Sequence, residues 1–177
     1  IVESTPWLTD KGYDDANNVG GIVGYLSAES TAYVKNCSVK NAEITAYRKV
    51  AGIVGAANGA AEVSGNTVEN VTVTADQTVE YVEFKAAEAG AIAGYKHANA
   101  KLEDNTIKEG VNVIVKVDAN DELNAAVAGA TAGNIIEVKA GTYTFPLNSF
   151  KAAITLNCEA GVVFEGNTQL NIKGSTI

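Results

Sequence analysis

A seven-residue segment recurs three times in this chain and restricts what the chain can become. It reads Val19-Gly20-Gly21-Ile22-Val23-Gly24-Tyr25, then Val50-Ala51-Gly52-Ile53-Val54-Gly55-Ala56, then Ala89-Gly90-Ala91-Ile92-Ala93-Gly94-Tyr95. Each copy is a short apolar strand bounded by glycine, with an isoleucine at its centre. A second strand-like stretch follows each copy: Val34 to Val39, Val63 to Val68, and Leu102 to Ile107. One such pair cannot bury its apolar face alone, so a repeated pair implies a stacked array of coils. Ile22, Ile53 and Ile92 are then expected to point inward from laterally paired strands.

The step from Gly55 to Gly94 is longer than the step from Gly24 to Gly55. The additional length falls between Ala75 and Glu88, where Thr78 to Lys85 alternates like an added strand or hairpin arm. Such an insertion maps to one face of a solenoid, and a plain loop extension is the competing reading. In the second strand of each repeat Cys37, Asn66 and Asn105 align. Val39, Val68 and Ile107 follow two positions later and should share a face with them. An asparagine at an inward turn can hydrogen-bond its amide to the neighbouring coils. Asn66 and Asn105 are therefore expected to form a structural ladder, continued by Cys37 as a small buried residue. The lead-in before Val19 carries Trp7 and Tyr13, and an aromatic there is expected to lid the stack. Asn70-Val71-Thr72 fits a glycosylation pattern and is read as a chance match.

Near residue 116 the character changes. Asp118 to Ala130 reads as the one helix, with Asn120 as its cap and Asp121 and Glu122 at its positive dipole end. Leu123, Ala126, Val127 and Ala130 fall on one face, and Gly133 is expected to stop it. Leu123 and Val127 should then rest on Ile136 or Val138. Beyond it the tail is strand after strand. Ile136, Ile154 and Ile172 recur at equal steps, and the same step separates Phe145 from Val163. That spacing suggests short parallel coils with Gly141 and Gly161 at corners and Cys158 inward.

Composition removes several function classes. The chain has 177 residues, a net charge of −8 and a single arginine, Arg48. Nucleic-acid binding needs clustered Lys and Arg to replace counterions, so it is not expected. No apolar run approaches the roughly 18 residues a membrane span needs. Cys37 and Cys158 are too few for a disulfide framework. With no methionine and Ile at position 1, a processed chain or fragment is expected, and the unfinished coil at Ile177 suggests that the native protein continues.

Two resemblances add to this. The Gly-Gly-Ile-Val-Gly-Tyr and Ala-Gly-Ile-Val-Gly units, followed by Asn-Thr-Val-Glu-Asn-Val-Thr-Val, resemble GLUG-type repeats of bacterial surface proteins over roughly residues 19–113. The third copy departs from the pattern at Ala91 and Ala93. Asp121-Glu122-Leu123 through Ala140-Gly141-Thr142-Tyr143 resembles the N-terminal cap and first coil of pectin-lyase-like right-handed β-helices. The resemblances imply an all-β fold: a parallel β-solenoid or right-handed β-helix with one short capping α-helix. The implied division is residues 1–115, GLUG-like repeats, and residues 116–177, a helix-capped β-helix start. Neither resemblance implies an activity, since β-helices host lyases, hydrolases, adhesins and phage spikes alike.

The residues themselves offer little chemistry. Arg48 and Lys49 follow Tyr47 with no acidic cluster at coil-related spacing. Glycosidase chemistry needs two carboxylates at a fixed separation. The nearest pairs, Glu62/Glu69, Glu103/Asp104 and Glu159/Glu165, read as solvated faces. His97 has no His or Cys partner for a metal and no nucleophile beside it. Asp118-x-Asn120-x-Glu122 begins like a calcium loop, but its glycine position holds Leu123. Gly20 to Gly24 precedes no helix and is no phosphate loop. No catalytic, cofactor-binding or metal-binding residue is expected. The reading is a non-catalytic adhesive or structural segment of an exported bacterial surface protein, extracellular or on the cell surface. Its expected partner is a carbohydrate or another surface protein. Two rivals stay open: part of a polysaccharide-active β-helix enzyme whose active site lies outside this chain, and a phage fibre or spike segment.

Overall fold

Each glycine heptad folds as a bend between two short strands, and the bends stack. This is seen in a computed structural model that describes residues 2–3, 18–28, 32–78, 88–144 and 152–166. Trp7, Tyr13, the arm beyond Thr78, Phe145 and the stretch from Leu170 to Ile172 lie outside the described residues. The chain divides into two units, Ile1–Ala75 with Glu88–Val113, and Asp76–Ala87 with Ile114–Ile177.

In the first unit β1 (Val2–Glu3) precedes three coils. The first holds β2 (Val19–Gly20), β3 (Val23–Leu26), β4 (Tyr33–Lys35) and β5 (Ser38–Ala46). The second holds β6 (Val50–Ala51), β7 (Val54–Ala57), β8 (Glu62–Ser64) and β9 (Thr67–Asp76). The third holds β10 (Ala89–Gly90), β11 (Ala93–Lys96), β12 (Lys101–Glu103) and β13 (Thr106–Ile107). Corresponding strands pair in parallel, giving three-stranded sheets β10-β6-β2, β11-β7-β3 and β12-β8-β4. On the fourth face β5 pairs with β1 and β9, and β9 with β13. Val23 pairs with Val54 and Val54 with Ala93, so the unequal steps between the glycine heptads are the register itself. Coil-to-coil returns between parallel strands take the right-handed sense. The fold is an all-β parallel solenoid, with one short helix among the described residues.

The repeated glycines let two sheets touch backbone to backbone. A Cβ on Gly55 would lie 2.5 Å from Val19 N and 2.7 Å from Lys49 O. No side chain fits there, which is why Gly24, Gly55 and Gly94 recur at one position.

Position in the stack decides burial. Val50, Ile53, Val54, Val63 and Val68 of the middle coil are fully buried, because that coil has a neighbour on each side. Among the described residues the first coil has only the two-residue β1 on its far side, and the third has no further coil of the unit. Ile92 and Val39 are buried, but Ile22 is 43% exposed and Ile107 57%. Three inward isoleucines were expected, and Ile22 departs from that. The three also sit in the bends between strands and not within them. Ile107 likewise departs from the inward row of Val39 and Val68.

Two aligned corners turn each coil through a positive φ. One is Asn36 (φ 54°), Gly65 (66°) and Asp104 (55°); the other is Asn41 (51°), Asn70 (52°) and Gly110 (73°). Glycine, and to a lesser degree Asn and Asp, tolerate this left-handed region.

In the second unit, β14 (Asn112–Val117) pairs in parallel with β15 (Ile135–Val138), and β15 with β17 (Thr155–Cys158). A second ladder joins β16 (Gly141–Tyr143) to β18 (Val162–Phe164). Ile136 pairs with Leu156 and Tyr143 with Phe164. The equal-step register expected through Ile154 is therefore wrong: the partner of Ile136 lies two positions further along. The turn at Gly161 (φ 96°) takes up the residue by which the two ladders differ.

Helix α1 (Asn120–Gly129) packs on β15 and buries Leu123, Ala126 and Val127. Asn120 is not its cap. Ala119 holds that position in extended conformation, and the Glu122 carboxylate accepts the N–H groups of Asp118 and Ala119 at 3.2 Å each. Asn120 Oδ1 instead accepts the Thr144 N–H at 2.6 Å. The helix ends at Gly129, before Gly133, with Ala130 already extended. Gly133 (φ 87°) serves the following turn.

Candidate functional site

The polar side chains of the first unit are arranged coil to coil, and that arrangement decides what each can do. Asn66 is fully buried. Its Oδ1 accepts the Cys37 N–H at 2.9 Å, and its Nδ2 donates to Val34 O at 3.0 Å. Asn105 repeats the pattern one coil on. Its Oδ1 accepts the Asn66 N–H at 3.0 Å and its Nδ2 donates to Val63 O at 2.8 Å. This is the expected ladder, built from one buried and one half-buried amide that satisfy corner backbone groups. Cys37 ends it differently from expectation. It is partly exposed, and its thiol donates to Lys35 O at 3.3 Å.

Outside the ladder, charges alternate from coil to coil. Lys35 pairs with Glu62 at 2.7 Å, Lys40 with Glu69 at 2.8 Å, and Lys108 with the same Glu69 at 3.3 Å. The hydrogen bond from Lys35 holds the Glu62 carboxyl below its usual range, and those from Lys40 and Lys108 do the same for Glu69. A carboxyl held down in this way is a poor proton donor near neutrality. Glu159 is lowered likewise by Lys139, 2.6 Å away. Glu103 is exposed, and Asp104 is a corner residue.

An open depression of about 670 Å³ lies outside the second corner. Lys40, Asn41, Glu69, Asn70, Glu109 and Gly110 line it. Asn70 Nδ2 donates to Asn41 Oδ1 at 2.7 Å, so the asparagine of the glycosylation pattern is engaged in a corner contact. A smaller hollow of about 270 Å³ in the second unit is lined by Glu137, Asn157, Cys158 and Glu159.

Comparison with protein-family models, with curated proteins and with solved structures finds no match. Function must therefore be argued from the residues.

The remaining candidates resolve as follows. His97 Nδ1 accepts the Asn99 N–H at 3.2 Å within a turn. Among the described residues no three His, Cys, Asp or Glu groups could hold a metal ion. Asp118 and Glu122 belong to the helix start, where burial raises the Glu122 carboxyl. Cys37 and Cys158 are free, and burial raises the Cys158 thiol. No helix among the described residues is long and apolar enough to cross a membrane.

Arg48 and Lys49 are less isolated than their sequence context implies. Val50 N–H donates to Glu88 O at 2.9 Å, so Glu88 stands one coil from Lys49. Burial raises the Glu88 carboxyl, while Lys49 and then Arg48 oppose the shift. The heptads also bring together two tyrosines. Tyr25 and Tyr95 both pair with Ala56, and Lys49 Nζ lies 5.1 Å from the Tyr95 ring centroid. The alignment of the heptads already contained that pairing; what it lacked was the side of the sheet.

Proposed function

We propose that the chain is a non-catalytic adhesive or structural segment of an exported bacterial surface protein, with a carbohydrate or another surface protein as its partner. The observation that carries this reading is the fate of the carboxylates in the first unit's repeat rows. Glu62 is tied to Lys35 of the preceding coil and Glu69 to Lys40 and Lys108 of the coils on either side, and both are held in the ionised form. Charge there is used to align coils, which is what a load-transmitting solenoid needs. The resemblances to GLUG-type repeats over residues 19–113 and to the start of a pectin-lyase-like β-helix over residues 116–177 support the same reading.

The test is twofold. The full chain is incubated with neutral and acidic polysaccharides, and release of reducing ends or unsaturated products is measured against a blank. The same chain is then assayed for retention on those polysaccharides and on host-surface proteins. Retention without product release is the expected result. Product release that is lost on mutation of Glu or Asp residues of this chain would overturn the reading in favour of a polysaccharide-active enzyme.

A further inference from the structure

We propose that Asn58 is a site of spontaneous modification, at which the backbone nitrogen of Gly59 closes on the Asn58 side-chain amide, expels ammonia and leaves an aspartate or isoaspartate in the middle coil. Three observations carry it.

The first is the turn. The chain reverses after β7 over Asn58-Gly59-Ala60-Ala61, with the Ala61 N–H donating to Asn58 O at 3.1 Å. Within this turn only Gly59 has a positive φ, 56°, which suits glycine at the first central position. A Cβ there would also lie 2.8 Å from Ala28 Cα. This is the one place in the sequence where glycine follows asparagine. With no Cβ beside it, the Gly59 nitrogen has a clear approach to the preceding side chain. Asn58 and Gly59 are half-buried and Ala60 is exposed, so water reaches the turn.

The second is that neither reacting group is anchored. The Gly59 N–H makes no hydrogen bond among the described residues. Asn58 Nδ2 is shielded and has no partner, a costly state for a donor that its departure as ammonia relieves. Asn66 and Asn105 are the opposite case. Each donates its Nδ2 to a backbone carbonyl, at 3.0 and 2.8 Å. The nitrogens that would attack are engaged too: Thr67 N–H donates to Cys37 O and Thr106 N–H to Asn66 O, both at 2.8 Å.

The third is position. Leu26 and Lys96 both pair with Ala57, so Ser27 and His97 stand where Asn58 does in the neighbouring coils. Neither can undergo this reaction. The Asn58 N–H donates to Leu26 O at 3.2 Å, and the His97 N–H to Ala57 O at 2.9 Å. The reactive turn is thus tied to a coil on each side.

Hydroxide removes the Gly59 N–H proton, and the nitrogen bonds to Asn58 Cγ. The Cγ–Nδ2 bond breaks, and ammonia leaves with its third proton drawn from water, which returns the hydroxide. Water then opens the cyclic imide. Opening at Cγ gives aspartate. Opening at the main-chain carbonyl gives isoaspartate, whose main chain is a methylene longer. Either product puts a carboxylate where a shielded amide stood, which is unfavourable. The longer chain also displaces β8 against its parallel partners β4 and β12.

The experiment ages the full folded chain in mildly alkaline buffer and follows each asparagine by peptide mass spectrometry, with the urea-unfolded chain as reference. Asn58 should convert at least about tenfold faster than Asn66 or Asn105, since glycine follows it and stiff β-branched threonine follows them. Isoaspartate should appear among the products, and the rate should rise with hydroxide concentration. Asn58→Ser places the first coil's residue in the turn, and circular dichroism checks that it is folded. Its urea midpoint should hold on ageing while that of the wild type falls. Asn58 intact in the folded chain while the unfolded chain converts overturns the proposal, because the fold then protects the site. Conversion of Asn66 or Asn105 at the same pace overturns it too. An equal fall in the midpoint of Asn58→Ser refutes the consequence for stability. None of these results bears on adhesion, which is tested separately.

Discussion

Asn105 Oδ1 accepts two hydrogen bonds from Asn66, from the backbone N–H at 3.0 Å and from the amide Nδ2 at 2.9 Å. The acceptor of one coil therefore fixes both the chain and the side chain of the coil before it. Asn66 holds the backbone of the first coil, its Oδ1 accepting the Cys37 N–H and its Nδ2 donating to Val34 O.

Asn66→Ala should be among the most damaging single substitutions in the first unit. It leaves the Cys37 N–H and the Val34 carbonyl unmet. At about 1–3 kcal/mol for each unsatisfied buried group, a loss of about 2–6 kcal/mol is expected. Asn105→Ala should cost less, since Asn105 is partly exposed and water can replace it. Urea unfolding of both variants measures this, and equal losses would show that burial is not what sets the difference.

The left-handed corner at Asn70 makes a separate prediction. Asn70→Ala should cost about 1–2 kcal/mol from the Cβ clash at positive φ, plus the Asn41 contact. Asn70→Gly should recover most of the conformational part. If the Gly variant is no more stable than the Ala variant, backbone strain is not the cause.

Ile53 and Ile22 occupy equivalent positions with unlike surroundings. Ile53→Ala should cost about 2–5 kcal/mol, the range for a buried aliphatic. Ile22 is 43% exposed, and Ile22→Ala should cost about 1 kcal/mol or less. Equal costs in chemical denaturation would contradict the stack-position account of burial.

How much of this was legible in the sequence follows from what each feature depends on. The glycine heptads showed the repeat, and their unequal steps were the register. Asn66 and Asn105 were readable because the same residue type recurs at one position with a geometric task. The corner at Asn36, Gly65 and Asp104 was not, because three residue types serve one backbone conformation. Ile22 and Ile107 were misjudged because burial depends on having a coil on both sides, which local pattern does not report. In the tail, the evenly spaced isoleucines suggested a partnership of Ile136 with Ile154, but Leu156 takes that place and the turn at Gly161 makes the second ladder's step longer still. The Lys–Glu rows become visible only once the strands are aligned, whereas the Tyr25–Ala56–Tyr95 row was already contained in the heptads.

The acid response should differ between carboxylates. Glu62 and Glu69 are lowered from 4.5 by their lysines. Their stabilisation is present above that ordinary value and is lost as pH falls through the lowered one. Glu122 is raised by burial, so its proton is held more tightly in the folded state. Stability from Glu122 is full below 4.5 and declines as pH rises through the raised value. Glu122→Gln keeps an acceptor for the Asp118 and Ala119 N–H groups and should flatten the decline. Glu62→Gln with Glu69→Gln should flatten the acid limb. Urea midpoints measured across pH separate the two, and slopes unchanged by either substitution would refute the assignment.

The helix supports a prediction about how the chain divides. Leu123 is fully buried where α1 meets β15. Leu123→Asp places a charge there and should strip hydrogen-exchange protection from residues 133–166 while residues 19–113 keep theirs. Simultaneous loss in both stretches would argue for one cooperative solenoid with no boundary near residue 116.

The asparagine ladder runs in one direction. Each amide reaches back to the corner of the preceding coil, and Cys37 sits in a coil with no earlier described coil at that corner. A coil therefore carries the clamp for its predecessor and needs one from its successor. Copying a segment that begins at Lys49 and ends before Glu88 would insert a coil with its own asparagine, and the inserted coil would clamp the one before it. The asparagine ladder thus sets no limit of its own on the number of coils, since each added coil brings the clamp that its predecessor needs.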